Sequence, residues 1–256
     1  ITSTNMQFVQ DGNYLYMTGG FGWDSVLNRY NTFPALTAIH VNDMINAVMS
    51  SSPIAPHIRQ ITDTNMRVSG GEMLKINGRY NLFFGHDFRG RYSDPPIPTF
   101  TQKYTEQIRQ FDIVDNGITL QVTNYTTLTD TNNFHRRDLN VAPVVFPDGS
   151  FGAEAYSGVF RKDADLPHLN PVTYNGTTAT TDSTFDQLFN NYTCPLLPVF
   201  DTLHGGMYTI LFGGMGLYDF NVQSGLPVYD SLVPFVADIS CVMRDANGLH
   251  GQGVLP

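Results

Sequence analysis

Charge is scarce in this sequence, and positive charge is scarcer than negative charge. Charged residues make up 14% of the 256 residues, against about 25% in an average globular protein. Lys and Arg number 14 while Asp and Glu number 23, which gives a formal net charge of −9. Because a negative surface repels phosphate backbones, we expect no nucleic-acid partner.

Cysteines and long apolar runs are also lacking. The two cysteines, Cys194 and Cys241, do not belong to CxxC pairs, so a four-ligand structural zinc site is not expected. Two separate buried thiols are favoured over a disulfide, although both stay open without the pairing geometry. No apolar run approaches the ~20 residues of a membrane-spanning helix, so we expect no membrane span.

The composition instead favours strands and turns. Aromatic residues reach 12%, and the chain holds 23 glycines and 15 prolines, a mixture typical of β-structure with polar loops. The apolar fraction of 41% is too high for a disordered chain. An all-β fold follows from this composition, with a short helix expected at Asp43–Met49.

A diverged internal repeat organises the chain. Residues 11–22 (DGNYLYMTGGFG) align without a gap with residues 205–216 (GGMYTILFGGMG), and weaker copies stand at 77–88 and 148–159. Each copy begins with a turn signal such as Asn77-Gly78, and such pairs suit the type I′ turn of a hairpin. The repeat predicts hairpins near residues 6–20, 73–86, 141–158 and 197–214.

A further apolar stretch follows each hairpin, and several of these stretches meet another turn such as Asn116-Gly117, after which a returning strand is clear at Ile118–Tyr125. A full unit is therefore two successive hairpins, with four antiparallel strands. These stretches are Leu36–Val41, Ile108–Ile113, Pro171–Tyr174 and Pro234–Val242. Four-stranded antiparallel units are the blades of β-propellers, and we predict one domain over residues 1–256 with about four such blades. A β-sandwich is the alternative, because it shares the alternation and the turns; the gapless repeat favours the propeller.

The glycine-rich copies resemble a known repeat family. YLYMTGGFG at 14–22 and ILFGGMG at 210–216 resemble the paired-glycine strand of kelch repeats. This resemblance implies a kelch-like β-propeller. Gly19, Gly20, Gly213 and Gly214 are the structural residues that we expect at places of close backbone packing or unusual φ.

Longer segments resemble a group of secreted propeller-like proteins of Bacteroidetes. They are NTFPALTAIHV (31–41), FTQKYTEQIRQFDI (100–113), NFHRRDLNVAPVVFPDGS (133–150) and VPFVADISCVMRDANG (233–248). The resemblance implies export by the type IX secretion system and a place outside the cell or in the cell envelope, either periplasmic or associated with the outer membrane. Pro234–Val242 is expected to lack a closing strand, which would make the chain part of a larger propeller.

Two short basic segments are the candidate binding residues. In the first, His135, Arg136 and Arg137 precede Asp138, and the arginines could hold a carboxylate or a sugar acid by paired hydrogen bonds. The alternative, which we favour, is that one of them fixes a loop through an internal carboxylate such as Asp138.

The second segment, GHDFRGRY at 85–92, follows a predicted strand. It contains His86, Asp87, Arg89 and Arg91, and loops at strand ends frequently carry function. His86 and Asp87 would make an acid and base pair, but neighbours on a strand point to opposite faces.

The chemistry-bearing motifs of enzymes are missing. The kelch resemblance raises copper chemistry of the galactose-oxidase kind, but none of the seven histidines stands in a close ligand pair, and GxSxG and P-loop motifs are lacking. We therefore expect no metal, cofactor or catalytic residue.

The predicted function is a non-enzymatic binding or scaffold propeller with a protein partner or, less favoured, a glycan. An accessory or cargo subunit bound to the type IX secretion machinery is a second hypothesis. A carbohydrate-active enzyme with a diverged site is a third.

Overall fold

The computed structural model describes residues 3–92 and 99–255. The chain forms two compact units, Ile1–Arg137 and Asp138–Pro256, and each has its own sheets and its own buried core. The single domain over residues 1–256 stays a prediction.

The first unit is built almost wholly from strands. In its described residues these are β1 (Ser3–Asp11), β2 (Tyr14–Asp24), β3 (Arg29–Thr32), β4 (Ala35–His40), β5 (Ile58–Thr62), β6 (Glu72–Ile76), β7 (Arg79–Phe83), β8 (His86–Gly90), β9 (Phe100–Tyr104), β10 (Gln107–Asp115) and β11 (Leu120–Thr129). The predicted short helix is present as α1 (Val41–Met49), and short 3-10 turns occupy Ala55–His57 and Thr64–Met66.

The second unit contains strands alone among its regular elements in the described residues. They are β12 (Asn140–Val145), β13 (Phe151–Tyr156), β14 (Val172–Tyr174), β15 (Ala179–Thr181), β16 (Leu196–Asp201), β17 (Gly206–Met215), β18 (Tyr218–Asn221), β19 (Leu226–Tyr229), β20 (Phe235–Arg244) and β21 (His250–Val254).

Four antiparallel sheets follow one another along the chain. Sheet 1 (β1-β2-β4-β5) is the four-stranded part of a larger sheet, in which the end of β2 pairs with β3, and β3 leads to β8 and β9. Sheet 2 (β6-β7-β10-β11), sheet 3 (β12-β13-β14-β15) and sheet 4 (β16-β17-β20-β21) each have four strands, and sheet 3 alone is made of consecutive strands. Between β17 and β20, β18 and β19 pair with each other as a separate two-stranded sheet. The prediction of an all-β chain with four-stranded antiparallel sheets is confirmed. The four predicted hairpins correspond to the first two strands of these sheets.

The turn residues explain why the hairpins form where they do. Asn77 and Gly78 join β6 to β7 with φ of 51° and 82°, the left-handed conformation that a two-residue type I′ turn requires at both positions. Gly149 closes the longer turn between β12 and β13 with φ of 81°.

The expectation that the last sheet lacks a closing strand is wrong. β21 pairs with β20 from Arg244↔His250 to Ser240↔Val254. Its sequence, HGQGV, has little apolar alternation and two glycines that offer no side chain to pack. Backbone pairing with β20 makes this segment a strand, and that pairing leaves no signal in the segment itself. Membership of a larger propeller stays a prediction.

Each unit has a core between two of its sheets. In the first unit, Tyr16 and Leu36 of sheet 1 pack against Tyr80, Leu82 and Phe111 of sheet 2. The rings of Tyr16 and Tyr80 meet edge to face at 5.5 Å. In the second unit a smaller buried cluster joins sheets 3 and 4 through Ala142, Tyr156, Leu211 and Val242.

The paired glycines lie where the two longest second strands change direction. Residues 14–18 of β2 pair with β4 and residues 21–24 pair with β3, so Gly19 and Gly20 stand at the change of partner. Their φ values are 67° and 86°, and a Cβ on Gly19 would lie 1.9 Å from the Val68 carbonyl oxygen. Gly213 and Gly214 stand at the irregularity between β17 and β20, with φ of 70° and 96°.

Replacing Gly19 with Ala should destabilise the protein far more than replacing Gly12 with Ala. Both glycines have positive φ, which costs a non-glycine residue about 1–2 kcal/mol, but a Cβ on Gly12 would meet no atom within 4 Å. Gly19→Ala adds an overpacking cost of about 1–3 kcal/mol. Denaturant unfolding of the two variants measures the difference, and equal loss in both would contradict close packing at Gly19.

Candidate functional site

The two basic segments are brought together in the first unit. The backbone N–H of Gly85 donates to the carbonyl of Arg136 at 2.9 Å, which fixes the end of the 130–137 loop beside β8. Arg137 Nη1 then lies 2.9 Å from the hydroxyl of Tyr92 and 3.4 Å from Nδ1 of His86. The segments 85–92 and 135–137 therefore form one cluster, which sequence spacing alone does not indicate.

His86 is held in its neutral form. It is buried, and its Nδ1 accepts a hydrogen bond from Gln102 Nε2 at 2.8 Å. Burial, followed by the charge of Arg137, lowers the pKa of His86 to about 3. A histidine with that pKa is a poor general base at neutral pH.

The other charged side chains of the second segment contact nearby groups in the first unit. Arg89 donates to both oxygens of Asp87, the shortest contact being 2.5 Å, and Arg91 lies over the ring of Tyr30 at 4.2 Å. His86 and Asp87 thus have different partners, as expected for neighbours that point to opposite faces of β8. The structure does not bring them together as an acid and base pair.

His135 and Arg136 occupy different surroundings although they are neighbours. His135 stacks on Tyr104 with ring centres 3.8 Å apart, and its Nδ1 lies 2.8 Å from Glu106 Oε1. Arg136 is fully buried, and its Nε donates to the carbonyl of Asn133 at 2.5 Å. Burial lowers the pKa of Arg136 to about 9, with the charge of Asp130 acting in the opposite direction. Arg136 remains protonated at neutral pH and fixes the loop.

Replacing Arg136 with Met should lower the free energy of unfolding by about 1–3 kcal/mol, because the part-buried carbonyl of Asn133 loses its donor. Arg161→Met is the matched control, since Arg161 is 40% exposed in an ion pair with Asp163, and such pairs contribute about 0–1 kcal/mol. Thermal and denaturant unfolding measure both. A stable Arg136→Met variant would show that the guanidinium does not support the loop.

A second cluster lies in the second unit, between sheets 3 and 4. His250 Nδ1 lies 2.6 Å from Asp182 Oδ2, and His250 Nε2 lies 2.8 Å from Glu154 Oε1. The same oxygen of Glu154 accepts from Thr173 at 2.6 Å, and the other accepts from Tyr156 at 2.8 Å. Because both ring nitrogens face carboxylates, both must donate, so this geometry requires a charged imidazolium.

The pKa shifts agree with this charge distribution. Burial alone would lower the pKa of His250, but its hydrogen bonds and charge interactions with Glu154 and Asp182 raise it. Burial would likewise raise the pKa of Glu154, and the contacts with His250, Thr173 and Tyr156 lower it. The pKa of Asp182 is lowered chiefly by Thr184 and also by His250.

Sequence patterns do not reveal this cluster, because its members are far apart in the chain. The available signal was Glu154 itself, a charged residue in the strand FGAEAY, whose other residues are small or aromatic. A buried carboxylate in such a strand needs a partner, but nothing local identifies His250.

Replacing His250 with Asn should destabilise the protein most between about pH 4.5 and 6.5. A raised histidine pKa contributes stability that is complete below the ordinary value of 6.5 and is lost as the pH rises through the folded-state pKa. The lowered pKa values of Glu154 and Asp182 contribute stability at pH values above the ordinary 4.5 and 3.8 of these groups. This stability is lost as the pH falls. Urea unfolding of both proteins from pH 4 to 9 tests this, and a difference that grows above pH 7 would contradict the charged imidazolium.

The described residues contain neither a metal-binding group of His, Cys, Asp and Glu nor a cysteine with a lowered pKa. No group of His, Cys, Asp or Glu within residues 3–92 and 99–255 could hold a metal ion. Cys194 and Cys241 are free thiols, and burial raises the pKa of both, to about 11 for Cys194. Over the same residues, no helix has the length and apolarity to cross a membrane.

Comparison with known proteins assigns this chain to no family. No family model matches the chain, and no curated protein matches it. A solved structure described as that of YjhT aligns over 99% of this chain and 84% of its own, with 9% sequence identity and a TM-score of 0.41. A likeness of this size identifies neither a family nor an activity, so function has to be argued from the residues.

Proposed function

We propose that this protein is a non-enzymatic binding or scaffold protein, built as a kelch-like β-propeller with sheets 1 to 4 as its blades. Each of these four sheets contains four antiparallel strands in chain order, and this supports the blade interpretation. The observation that carries the function is an exposed apolar face on sheet 4.

That face consists of side chains in register on three adjacent strands. One row joins Leu197 to Ile210, and the next joins Val199 and Met243 through Tyr208; Cys241 continues the first row but is buried. Leu197 is 49% exposed, Val199 42% and Met243 43%, and Phe212 extends the face at 42%. A continuous apolar surface of this kind marks an interaction site.

The repeat indicates what kind of partner suits this face. In the gapless repeat Tyr208 and Ile210 correspond to Tyr14 and Tyr16. In the first unit Tyr16 packs against Tyr80 of sheet 2, and Tyr14 lies beside Tyr16 at the edge of the same core. In the first unit, the surface that corresponds to this face is therefore covered by another β-sheet. We propose a protein partner that presents an apolar sheet face.

Catalysis has less support from the same structure. The carboxylate of Glu154 is fully buried and has hydrogen bonds on both oxygens, and His86 is too weak a base at neutral pH. The extracellular or cell-envelope location and the attachment to type IX secretion machinery stay proposals that derive from the resemblance of segments 31–41, 100–113, 133–150 and 233–248.

A photo-crosslinking amino acid at Phe212 should capture a discrete protein in the cells that make this chain, whereas the same amino acid at the exposed turn residue Thr177 should not. The crosslink should disappear when Val199 and Met243 are both changed to Glu, because buried unpaired charge opposes docking. The Glu variants should keep their thermal stability, since both positions are exposed. Equal crosslinking at Phe212 and Thr177 would overturn the proposed binding face.

A further inference from the structure

A cleft with both polar and apolar walls lies beside the Glu154 cluster in the second unit. It has a volume of about 450 Å³ and is lined by the turns at the ends of sheet 3 and by Arg244 at the end of β20. Its walls include Phe146, Asn175, Thr178 and Thr180. The proposed protein-binding face of sheet 4 shares none of these residues.

Arg244 brings a positive charge whose donors are unused. No described residue accepts a hydrogen bond from its guanidinium, and its nearest carboxylate oxygen, Glu154 Oε1, is 3.9 Å from Nε. That oxygen already accepts from Thr173 and His250. The guanidinium lies 5.2 Å from the ring centre of Phe146, with its side chain 17% exposed. A guanidinium in this state is ready for a carboxylate ligand, because it loses little solvation on binding and can form paired hydrogen bonds.

The other walls offer neutral hydrogen-bonding groups. Thr180 lies in β15 and Thr178 directly precedes that strand, and both residues line the cleft. The Oδ1 atom of Asn175 accepts from the backbone N–H groups of Thr177 and Thr178, which directs its amide nitrogen elsewhere as a donor. Asp148 also lines the cleft, and its hydrogen bonds with Ser150 lower its pKa, so it is an ionised acceptor.

We propose that this cleft binds a carboxylated sugar of the hexuronate type. The carboxylate would pair with Arg244, and the sugar hydroxyls would bond to the two threonines, Asn175 and the acceptor Asp148. A phosphate or sulfate group is a poorer match, because Asp148 and Glu154 place negative charge around a single arginine in a chain of net charge −9. A monoanion with several hydroxyl groups satisfies both kinds of residue.

Titration calorimetry with galacturonate and with neutral galactose tests the proposal. We expect the acidic sugar to bind at least about tenfold more tightly than the neutral one, about the value of one charged hydrogen-bonded pair. Arg244→Gln should lose that preference. Thr178→Val, at an exposed position that leaves the fold intact, should weaken binding several-fold, and Arg161→Gln is the matched control that should bind as the parent protein does.

Three results would overturn the proposal. They are no binding of galacturonate at millimolar concentrations, equal binding of both sugars, and unchanged binding by Arg244→Gln and Thr178→Val. Displacement of galacturonate by inorganic phosphate at equal concentration would show a general anion site instead and would also overturn it. None of these results bears on the protein-binding face, because crosslinking at Phe212 reports on that face independently.

Discussion

In each of the four sheets the second strand pairs with a neighbouring strand on both sides, and the rest of the structure depends on this pairing. β2, β7, β13 and β17 are interior strands of their sheets, and each begins directly after a turn in which glycine adopts positive φ. A one-residue slip in such a strand would turn every buried side chain to the opposite face. The tight turns therefore set the register, and the register decides which side chains reach the cores and the clusters.

The long second strands also explain the paired glycines. β2 pairs with β4 along its first half and with β3 along its second, and Gly19 lies at the crossover, against the carbonyl of Val68. Only a residue without Cβ permits that approach together with a left-handed φ. The end of β2 can then extend the sheet through β3 to β8, and β8 carries His86 and Asp87.

The two polar clusters differ in how they use charge. In the first unit the basic residues are divided among separate partners, so Arg136 supports a loop while Arg137 meets Tyr92 and His86. In the second unit one imidazolium satisfies two carboxylates, and this arrangement leaves Arg244 beside an already saturated Glu154. Internal matching of buried charge is a condition of folding. Arg244 lies 3.9 Å from Glu154 without a hydrogen bond to it, and the proposed sugar site depends on this charge.

Two local properties of the chain, the φ preferences of Asn-Gly and Asp-Gly pairs and the alternation of apolar residues, are enough for several predictions. These are the all-β class, the four-stranded units, the helix at Asp43–Met49 and the positions of the hairpin turns. Three features emerge only in the folded chain: β21 closes the last sheet, segments 85–92 and 135–137 meet, and His250 joins Glu154 and Asp182. Those contacts arise when strands distant in sequence become neighbours in space, and no short segment of the chain encodes which partner a buried charge or an edge strand will find.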